Sequence, residues 1–231
     1  MAAQQHMEQA ALADLRPTQM TVGAAEVAVK RAQWTGLKPK ARDKLLQSHW
    51  FPAVRGPRGR FYIVDHHHLG QALWQEGVQT VWVMPLADFS AAEPSLFWRL
   101  MEFRQWAHPY DEKGQRHDPA AIPKRLEQLK DDPYRSLAGE VRKAGGYAKD
   151  VTPYTEFLWA DFFRSHFDKD ALRGSGGQGL PQASRSKAII AARDATQAFK
   201  WVPNPGPQTA AYFSEADCLL YGGEPGGGKS Q

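Results

Sequence analysis

Asp65, His66, His67 and His68 are the side chains of this sequence whose chemistry stands out most. They follow a run of β-branched and aromatic residues and precede an amphipathic helical pattern that ends at Gly77. The pattern predicts a strand, a polar turn and a helix. Imidazoles at the positive end of a helix can contact an anion such as phosphate, and they can transfer protons near neutral pH.

The same turn does not predict a metal site. Neighbouring side chains on a strand-to-helix turn diverge, and no His-x-x-x-His pair is present. The single Cys218 also excludes a cysteine-based zinc site and a disulfide framework. For each of the three histidines, a core or capping role stays open beside a catalytic one.

Arg135 is the next candidate, because its place in a predicted helix is unfavourable by itself. Asp132 and Pro133 form a helix start, with a capping carboxylate followed by proline at the first position, and glycines at 145–146 end the helix. A positive charge in the first turn opposes the helix dipole. The position therefore predicts an acidic or phosphate partner for Arg135.

Two carboxylates on a predicted aromatic helix, residues 154–167, could assist the histidines. Glu156 and Asp161 are five residues apart, about 140° around the helix, so they cannot form a carboxylate pair by themselves. Aromatic neighbours predict that Asp161 is partly buried and paired with a donor such as Arg164. Either acid could meet the histidine turn after folding.

Composition predicts a globular protein with a mild preference for anionic partners. Among 231 residues, 42% are hydrophobic, including eight Trp and eleven Phe, which is enough to build a core. The formal net charge of +4 is spread along the chain. There is no leader-like segment and no stretch long enough to span a membrane, so we predict a cytoplasmic protein without a membrane partner.

The elements that would position these side chains form a small mixed sheet with surrounding helices, an α+β fold. Predicted strands lie at residues 50–54, 61–64 and 81–83. Predicted helices lie at residues 23–34, 69–76, 88–107, 133–144 and 154–167. Residues 1–15 are expected to be an N-terminal tail, loose or with a short helix, and residues 16–172 to form the domain.

A glycine-proline turn between the first two predicted strands carries Arg55, Arg58 and Arg60. It predicts either an exposed hairpin tip or a nucleic-acid contact. The second interpretation requires the three arginines to share a face with the histidine turn.

The turn at residues 65–68 resembles the strand-to-helix turn of ParB/sulfiredoxin-like proteins. Three further blocks are similar to the branch described as ParB-like nucleases: Arg-Pro-Thr-Gln at 16–19, Val-Gly-x-x-x-Val-x-x-Lys at 22–30 and Asp-Asp-Pro-Tyr-Arg-Ser at 131–136. The resemblance covers roughly the first three quarters of the chain, and the order of the blocks is more specific than any one of them. ParB proteins carry arginine at the position of His68, and sulfiredoxin's catalytic cysteine has no counterpart here.

The resemblance implies a nucleotide- or nucleic-acid-binding domain that cleaves phosphodiesters, using a nucleoside triphosphate and Mg²⁺ where these are bound. It implies catalytic residues at Asp65, His66, His67 and His68, aided by Glu156 or Asp161. It implies phosphate binding by Gln19, Lys30, Arg135 and Ser136, although Lys30 could also be a solvated partner of Glu26 one turn earlier. Two alternatives are a nucleotide-dependent small-molecule kinase and a binding module without catalysis.

The C-terminal quarter has a different composition. Residues 173–200 predict a flexible glycine-rich linker and a helix. In residues 201–231, Gly223, Gly228, Lys229 and Ser230 fit the P-loop pattern, and the segment resembles the start of a phage terminase large subunit. Because the helix and Walker-B carboxylate that a P-loop needs do not follow, we expect no ATPase here, and either a truncated product or the front of a longer fusion.

Overall fold

A computed structural model describes residues 6–144, 147, 153–168, 172, 186, 190 and 194 of the chain. The strands are β1 (Glu8–Ala11), β2 (Thr21–Val22), β3 (Phe51–Arg55), β4 (Phe61–Ile63), β5 (Thr80–Asp88) and β6 (Lys130–Asp131). The helices are α1 (Ala24–Thr35), α2 (Pro39–Ser48), α3 (His67–Gln75), α4 (Pro94–Phe103), α5 (Pro133–Lys143) and α6 (Thr155–His166).

The main sheet is mixed and has the strand order β1-β5-β3-β4. The central pair, β3 and β5, is parallel, whereas β1 pairs with β5 and β4 pairs with β3 in antiparallel fashion. A short parallel pair, β2 with β6, lies outside this sheet. Strands and helices therefore combine as predicted, in an α+β fold with a small mixed sheet.

The core beneath the histidine turn is built from the strands and α3. Phe51, Val83 and Leu73 are fully buried there. Gly70 of α3 lies so close to its neighbours that an added Cβ would be 3.0 Å from a Leu126 methyl carbon and 3.2 Å from the Phe51 ring. This tight packing fixes the helix that begins at the turn.

A second apolar cluster joins α5 to α6. Leu137, Val141 and Phe163 are completely buried in it. Asp132 caps α5 by accepting a hydrogen bond from the Tyr134 N–H at 3.0 Å, and Pro133 takes the first helical position, as the sequence predicts. The capped end of α5 faces α1, with which it is in contact.

The tail predicted for residues 1–15 is corrected over residues 8–15. Glu8–Ala11 forms an edge strand against β5, and Leu12 and Leu15 are each only 1% exposed. Strand β1 has only four residues, two of them alanine, and they alternate between half-buried and exposed. Its composition therefore gives a weak strand signal.

Two helices differ from the sequence-based expectation. Helix α2 was not predicted, because none of its residues is buried and its apolar pattern is faint. The helix expected at residues 88–107 is shorter, since β5 continues to Asp88 and α4 begins only at Pro94.

Several predicted features lie outside the described residues. These are the linker and helix of residues 173–200, apart from residues 186, 190 and 194, the glycines at 145–146, and the P-loop residues Gly223, Gly228, Lys229 and Ser230. Among the helices that the structure describes, none has the length and apolar character needed to cross a bilayer.

Candidate phosphate-binding site

The histidine turn is a tight connection between β4 and α3 in which one residue adopts the left-handed backbone conformation. His66 has a φ of +66°, and the Asp65 carboxylate accepts a hydrogen bond from the His66 N–H at 2.6 Å. This turn places α3 with its first residue, His67, at the end of the strand. The positive end of the α3 dipole therefore faces the space that follows the strand.

The three imidazoles diverge. The His66 ring packs on Phe51 at 5.9 Å and lies 6.3 Å from His49, between ring centroids, so it is turned into the protein. Burial lowers the pKa of His66. His66 is thus placed away from its two neighbours, which both line one cavity.

His67 and His68 are each held by a backbone amide. The N–H of Thr18 donates to Nε2 of His67 at 3.1 Å, and the N–H of Gly23 donates to Nε2 of His68 at 3.0 Å. Burial lowers the pKa of His67 to about 3 and the pKa of His68 well below its ordinary value. Both rings are therefore neutral near pH 7, and with Nε2 accepting, the proton resides on Nδ1.

This arrangement changes the chemistry expected of the pair. A ring whose Nε2 lone pair is already engaged cannot accept a substrate proton there, and a pKa far below 7 makes a poor shuttle at neutral pH. Two Nδ1–H groups are instead uncharged hydrogen-bond donors. Proton transfer by these two histidines stays a prediction from the sequence, and the contacts of Nε2 favour a role as neutral hydrogen-bond donors.

Arg135 lies beside them in the first turn of α5. Its guanidinium donates to the Thr21 carbonyl at 3.1 Å, stacks on the Phe157 ring at 3.7 Å and lies 4.0 Å from the Glu156 carboxylate. The side chain is only 5% exposed, and burial lowers the pKa of Arg135 to about 10, so it remains a cation at neutral pH. Its Nε has no partner among the described residues.

These groups surround a cavity of about 460 Å³. It is lined by residues from five parts of the fold: Gln19, Glu26, Val64, Asp65, His67, His68, Gln105, Arg135, Arg142, Tyr147 and 153–157. Glu156 forms an ion pair with Arg142 at its edge. The cavity thus combines donors and cations at one end with carboxylates and aromatic rings around them.

The aromatic part of the wall is formed around Tyr154 and Phe157. Their rings meet edge to face at 5.7 Å, and His108 packs against both, at 4.7 and 3.8 Å. Tyr154 has a φ of +64° just before α6, a strained conformation that aims the ring at this cluster. A flat ligand group could stack on such a wall.

Three residues expected at the site lie elsewhere or serve the scaffold. Asp161 is 48% exposed, pairs with Arg164 and does not line the cavity. The Ser136 hydroxyl accepts a hydrogen bond from the Ala25 N–H at 3.3 Å and so caps α1. Lys30 lies on α1 outside the lining, although its positive charge contributes to lowering the pKa values of His66 and His68.

Gly23 explains how the scaffold holds His68. A Cβ at this position would lie 2.8 Å from the Ser136 hydroxyl and 2.9 Å from its backbone nitrogen. Only glycine allows α1 and α5 to approach so closely, and this approach keeps the Gly23 N–H on the His68 ring.

Sequence reasoning missed the far side of the cavity. Glu26, Gln105, Arg142, Tyr147 and Tyr154 come from separate segments whose apolar and charged patterns match ordinary surface helices and loops. The one available signal was Arg142, which follows Arg135 by two helical turns and therefore lies on the same face of α5.

The described residues hold no group of three or more His, Cys, Asp or Glu side chains placed to bind a metal ion. Mg²⁺ needs fewer protein ligands when it arrives with phosphates, because one or two carboxylates are then sufficient. Glu26 and Asp65 line the cavity and fit that role. A magnesium ion would there neutralise phosphate charge that Arg135 and the histidines leave uncompensated.

The chain is similar to a known protein family and to a solved structure. The model of a family described as "Putative ParB-like nuclease" matches residues 8–165. The crystal structure of protein Atu1540 from Agrobacterium tumefaciens is 39% identical in sequence, with a TM-score of 0.75, and the match covers 84% of this chain and 92% of that chain. No curated protein matched the sequence.

Proposed function

The chain belongs to the ParB-like nuclease family. From that premise we infer that its cavity binds the phosphate group of a nucleotide, either a free nucleotide or the terminal one of a nucleic-acid chain. The observation that carries this proposal is that Arg135, His67 and His68 line one cavity, with Nε2 of both histidines already engaged by backbone amides and Nδ1–H left as the donor. A buried guanidinium and two neutral donors match the charge and the acceptor oxygens of a phosphate.

The dimensions of the cavity support a ligand larger than phosphate alone. A volume of about 460 Å³ falls within the usual range for small-molecule sites. Arg135 and His108 already pack against the Phe157 ring, so the half-buried Tyr154 ring is the part of this wall on which a base could stack. None of Arg55, Arg58 and Arg60 lines the cavity beside the histidine turn, so the shared face that a nucleic-acid contact at this site requires is absent. This favours recognition of one nucleotide unit here over a contact with a duplex backbone.

Titration calorimetry of the full chain tests the proposal. The panel comprises a nucleoside triphosphate, the monophosphate, the nucleoside and inorganic phosphate, each with and without Mg²⁺. We expect the nucleotides to bind and the nucleoside to bind much more weakly, because it lacks the group that Arg135 recognises. Equal affinity for nucleoside and nucleotide, or no binding by any member, would exclude this function.

Hydrolysis of a phosphodiester is a second candidate function, supported by family membership and by the position of Glu156. This carboxylate is in the cavity, 4.0 Å from the Arg135 guanidinium. Since the Nε2 atoms of both histidines are engaged, Glu156 is the residue we propose to orient the attacking water.

Two carboxylates on α6 provide a matched test of this second role. Glu156→Gln is expected to lower the rate of phosphodiester cleavage by roughly 100-fold or more, because it removes a group acting on the nucleophile. Asp161→Asn, five residues away and outside the cavity, should leave the rate within about twofold. The measurement is single-turnover cleavage of a labelled oligonucleotide.

Equal rates for wild type and Glu156→Gln, with nucleotide binding intact, would instead support a binding module without catalysis. The kinase alternative would use the same cavity for its nucleotide donor and stays a prediction. The terminase-like character of residues 201–231 also stays a prediction, because these residues lie beyond the matched region.

A further inference from the structure

A second cleft, of about 330 Å³, lies beside the turn that joins β3 to β4. Its polar rim carries four cations, Arg16, Arg58, Arg60 and Lys124. Its base is formed by aromatic rings of β4 and α4, namely Tyr62, Phe97 and Trp98. The cleft shares no lining residue with the cavity around Arg135.

Among the described residues, no carboxylate pairs with the cations of this cleft. No acidic residue lines it, and within the part of the chain that the structure describes none of its four cations is in an ion pair. Arg55, one residue before the turn, behaves differently, because it pairs with Glu8 at 2.7 Å. Four unpaired cations around one concave surface favour an anionic ligand with several charges.

The three rings of the aromatic base pack against one another, with Phe97 buried and Tyr62 and Trp98 partly exposed. Tyr62 packs on Phe97 at 4.5 Å, and Trp98 meets Phe97 at 5.1 Å and Tyr62 at 5.6 Å, between ring centroids. Gly56 supports this cluster, since a Cβ there would come within 2.6–2.7 Å of the Tyr62 and Phe97 rings. Trp98 is only half-buried, so part of its surface remains free to contact a ligand.

The turn that carries two of the cations holds a strained backbone. Arg58 has a φ of +63°, a left-handed conformation that a non-glycine residue adopts at a cost. Burial raises the pKa of the Tyr62 phenol, and the positive charges of Arg60 and Arg58 partly offset this rise. Such local strain is typical of functional positions.

We propose that this cleft binds single-stranded nucleic acid, with phosphates on Arg58, Arg60 and Lys124 and a base stacked on Trp98. Alternating cations and exposed aromatic surface are the features by which proteins hold unpaired strands. A duplex hides its base faces and would use only the cations. An acidic peptide would likewise leave the aromatic base without a stacking partner.

The cleft is connected to the cavity by two short segments. Arg16 and Pro17 line the cleft while Gln19 lines the cavity, and Tyr62 lines the cleft while Val64 and Asp65 line the cavity. Three extended residues span roughly 10 Å. A nucleic-acid strand bound in the cleft could therefore place its end in the cavity. That placement rests on the proposed nucleotide site, whereas binding in the cleft is independent of it.

Fluorescence anisotropy with the full chain and a labelled oligothymidylate of about ten nucleotides tests the proposal. The double variant Arg58→Glu with Arg60→Glu is expected to weaken binding by at least about tenfold and to lower the slope of log affinity against log salt by about 1.4. Trp98→Ala should weaken binding roughly 5- to 150-fold. Thermal melts establish that each variant is folded.

The matched control is Lys44→Glu with Arg99→Glu, two exposed cations on α2 and α4 that line neither site. It has the same net charge as the test variant and should bind like wild type. An unchanged affinity in the Arg58/Arg60 variant, or equally tight binding of a duplex or of poly-glutamate, would overturn the proposal. The Arg58/Arg60 variant should bind free nucleotide like wild type. This result separates loss of strand binding in the cleft from loss of nucleotide binding in the cavity.

Discussion

Replacing Arg135 with methionine is expected to weaken nucleotide binding by about 100-fold or more while leaving the domain folded. Among the described charged groups, Arg135 has the largest effect on the two histidines. Its charge is the second cause, after burial, that lowers the pKa values of His67 and His68. Without it, the other cation of the lining is Arg142, whose charge is already paired with Glu156, so a phosphate in the cavity would meet mainly neutral donors and carboxylates. The loss should therefore appear in affinity for the phosphate group.

The fold should tolerate this substitution because each partner of Arg135 keeps another one. The Thr21 carbonyl also accepts from the Gln19 side chain at 2.8 Å, and Glu156 stays paired with Arg142. Methionine has similar length and can cover the Phe157 ring. Removing a buried charge whose contacts are so duplicated should change the free energy of unfolding by no more than about 2 kcal/mol.

Calorimetric titration with the nucleoside triphosphate and a urea denaturation curve measure the two quantities separately. Arg135→Lys retains the charge but lacks the planar fork, so its affinity should lie between wild type and Arg135→Met. Arg99→Met, the same substitution at an exposed position, is the control. Wild-type affinity in a folded Arg135→Met variant would place the phosphate elsewhere.

A steep loss of stability in mild acid is the second large effect expected. Burial is the main cause that lowers the pKa values of His67 and His108 to about 3 and that of His68 well below its usual range. In the unfolded chain each of them titrates near 6.5. The folded state thus excludes protons that the unfolded state takes up.

The sign follows from proton linkage. The stabilisation by these neutral rings is fully present above about pH 6.5 and is lost as the pH falls from there towards 3. Between pH 7 and pH 5, His67 and His108 should each cost about 2 kcal/mol, so the two together should cost about 4 kcal/mol, and His68 should add to the loss in the same direction. That is a large part of the whole stability of an ordinary domain.

Urea denaturation at several pH values measures this loss. His67→Gln can keep an acceptor for the Thr18 N–H without a titrating ring, so the variant should lose about 2 kcal/mol less than wild type between pH 7 and pH 5. The exposed His6→Gln variant controls for the substitution itself. A free energy of unfolding that is flat over this pH range would show that the rings are charged in the folded protein or are not buried.

The local elements of the site could be read from the sequence because their signals are local. The strand before Asp65, the helix that ends near Gly77 and the capped start of α5 each follow from patterns within a dozen residues. The unfavourable position of Arg135 in its helix also pointed to a partner, and the structure places it on the cavity wall.

The state of the histidines could not be predicted, because it depends on distant backbone groups. The amides that hold His67 and His68 come from Thr18 and Gly23, more than forty residues earlier in the chain. The same turn could have presented a charged ring, a metal ligand or a core residue. His66 does take a packed position, whereas its two neighbours line the cavity.

The assembly of the cavity and the cleft was equally hidden, since both collect residues from segments far apart in sequence. Arg55, Arg58 and Arg60 are close in sequence, but Arg55 ends β3 and pairs with Glu8, while the other two line a cleft with Lys124. The edge strand that supplies Glu8 was itself missed, so this division had no sequence signal.

The tautomer of His67 and His68 tests the central claim most directly. Two-bond ¹H–¹⁵N correlation spectra of the histidine side chains near neutral pH, with and without a saturating nucleoside triphosphate and Mg²⁺, identify which ring nitrogen carries the proton. We predict that both rings are neutral with the proton on Nδ1, and that these Nδ1 signals shift when the nucleotide binds. Charged rings, protons on Nε2, or signals that do not move at saturation would contradict the account.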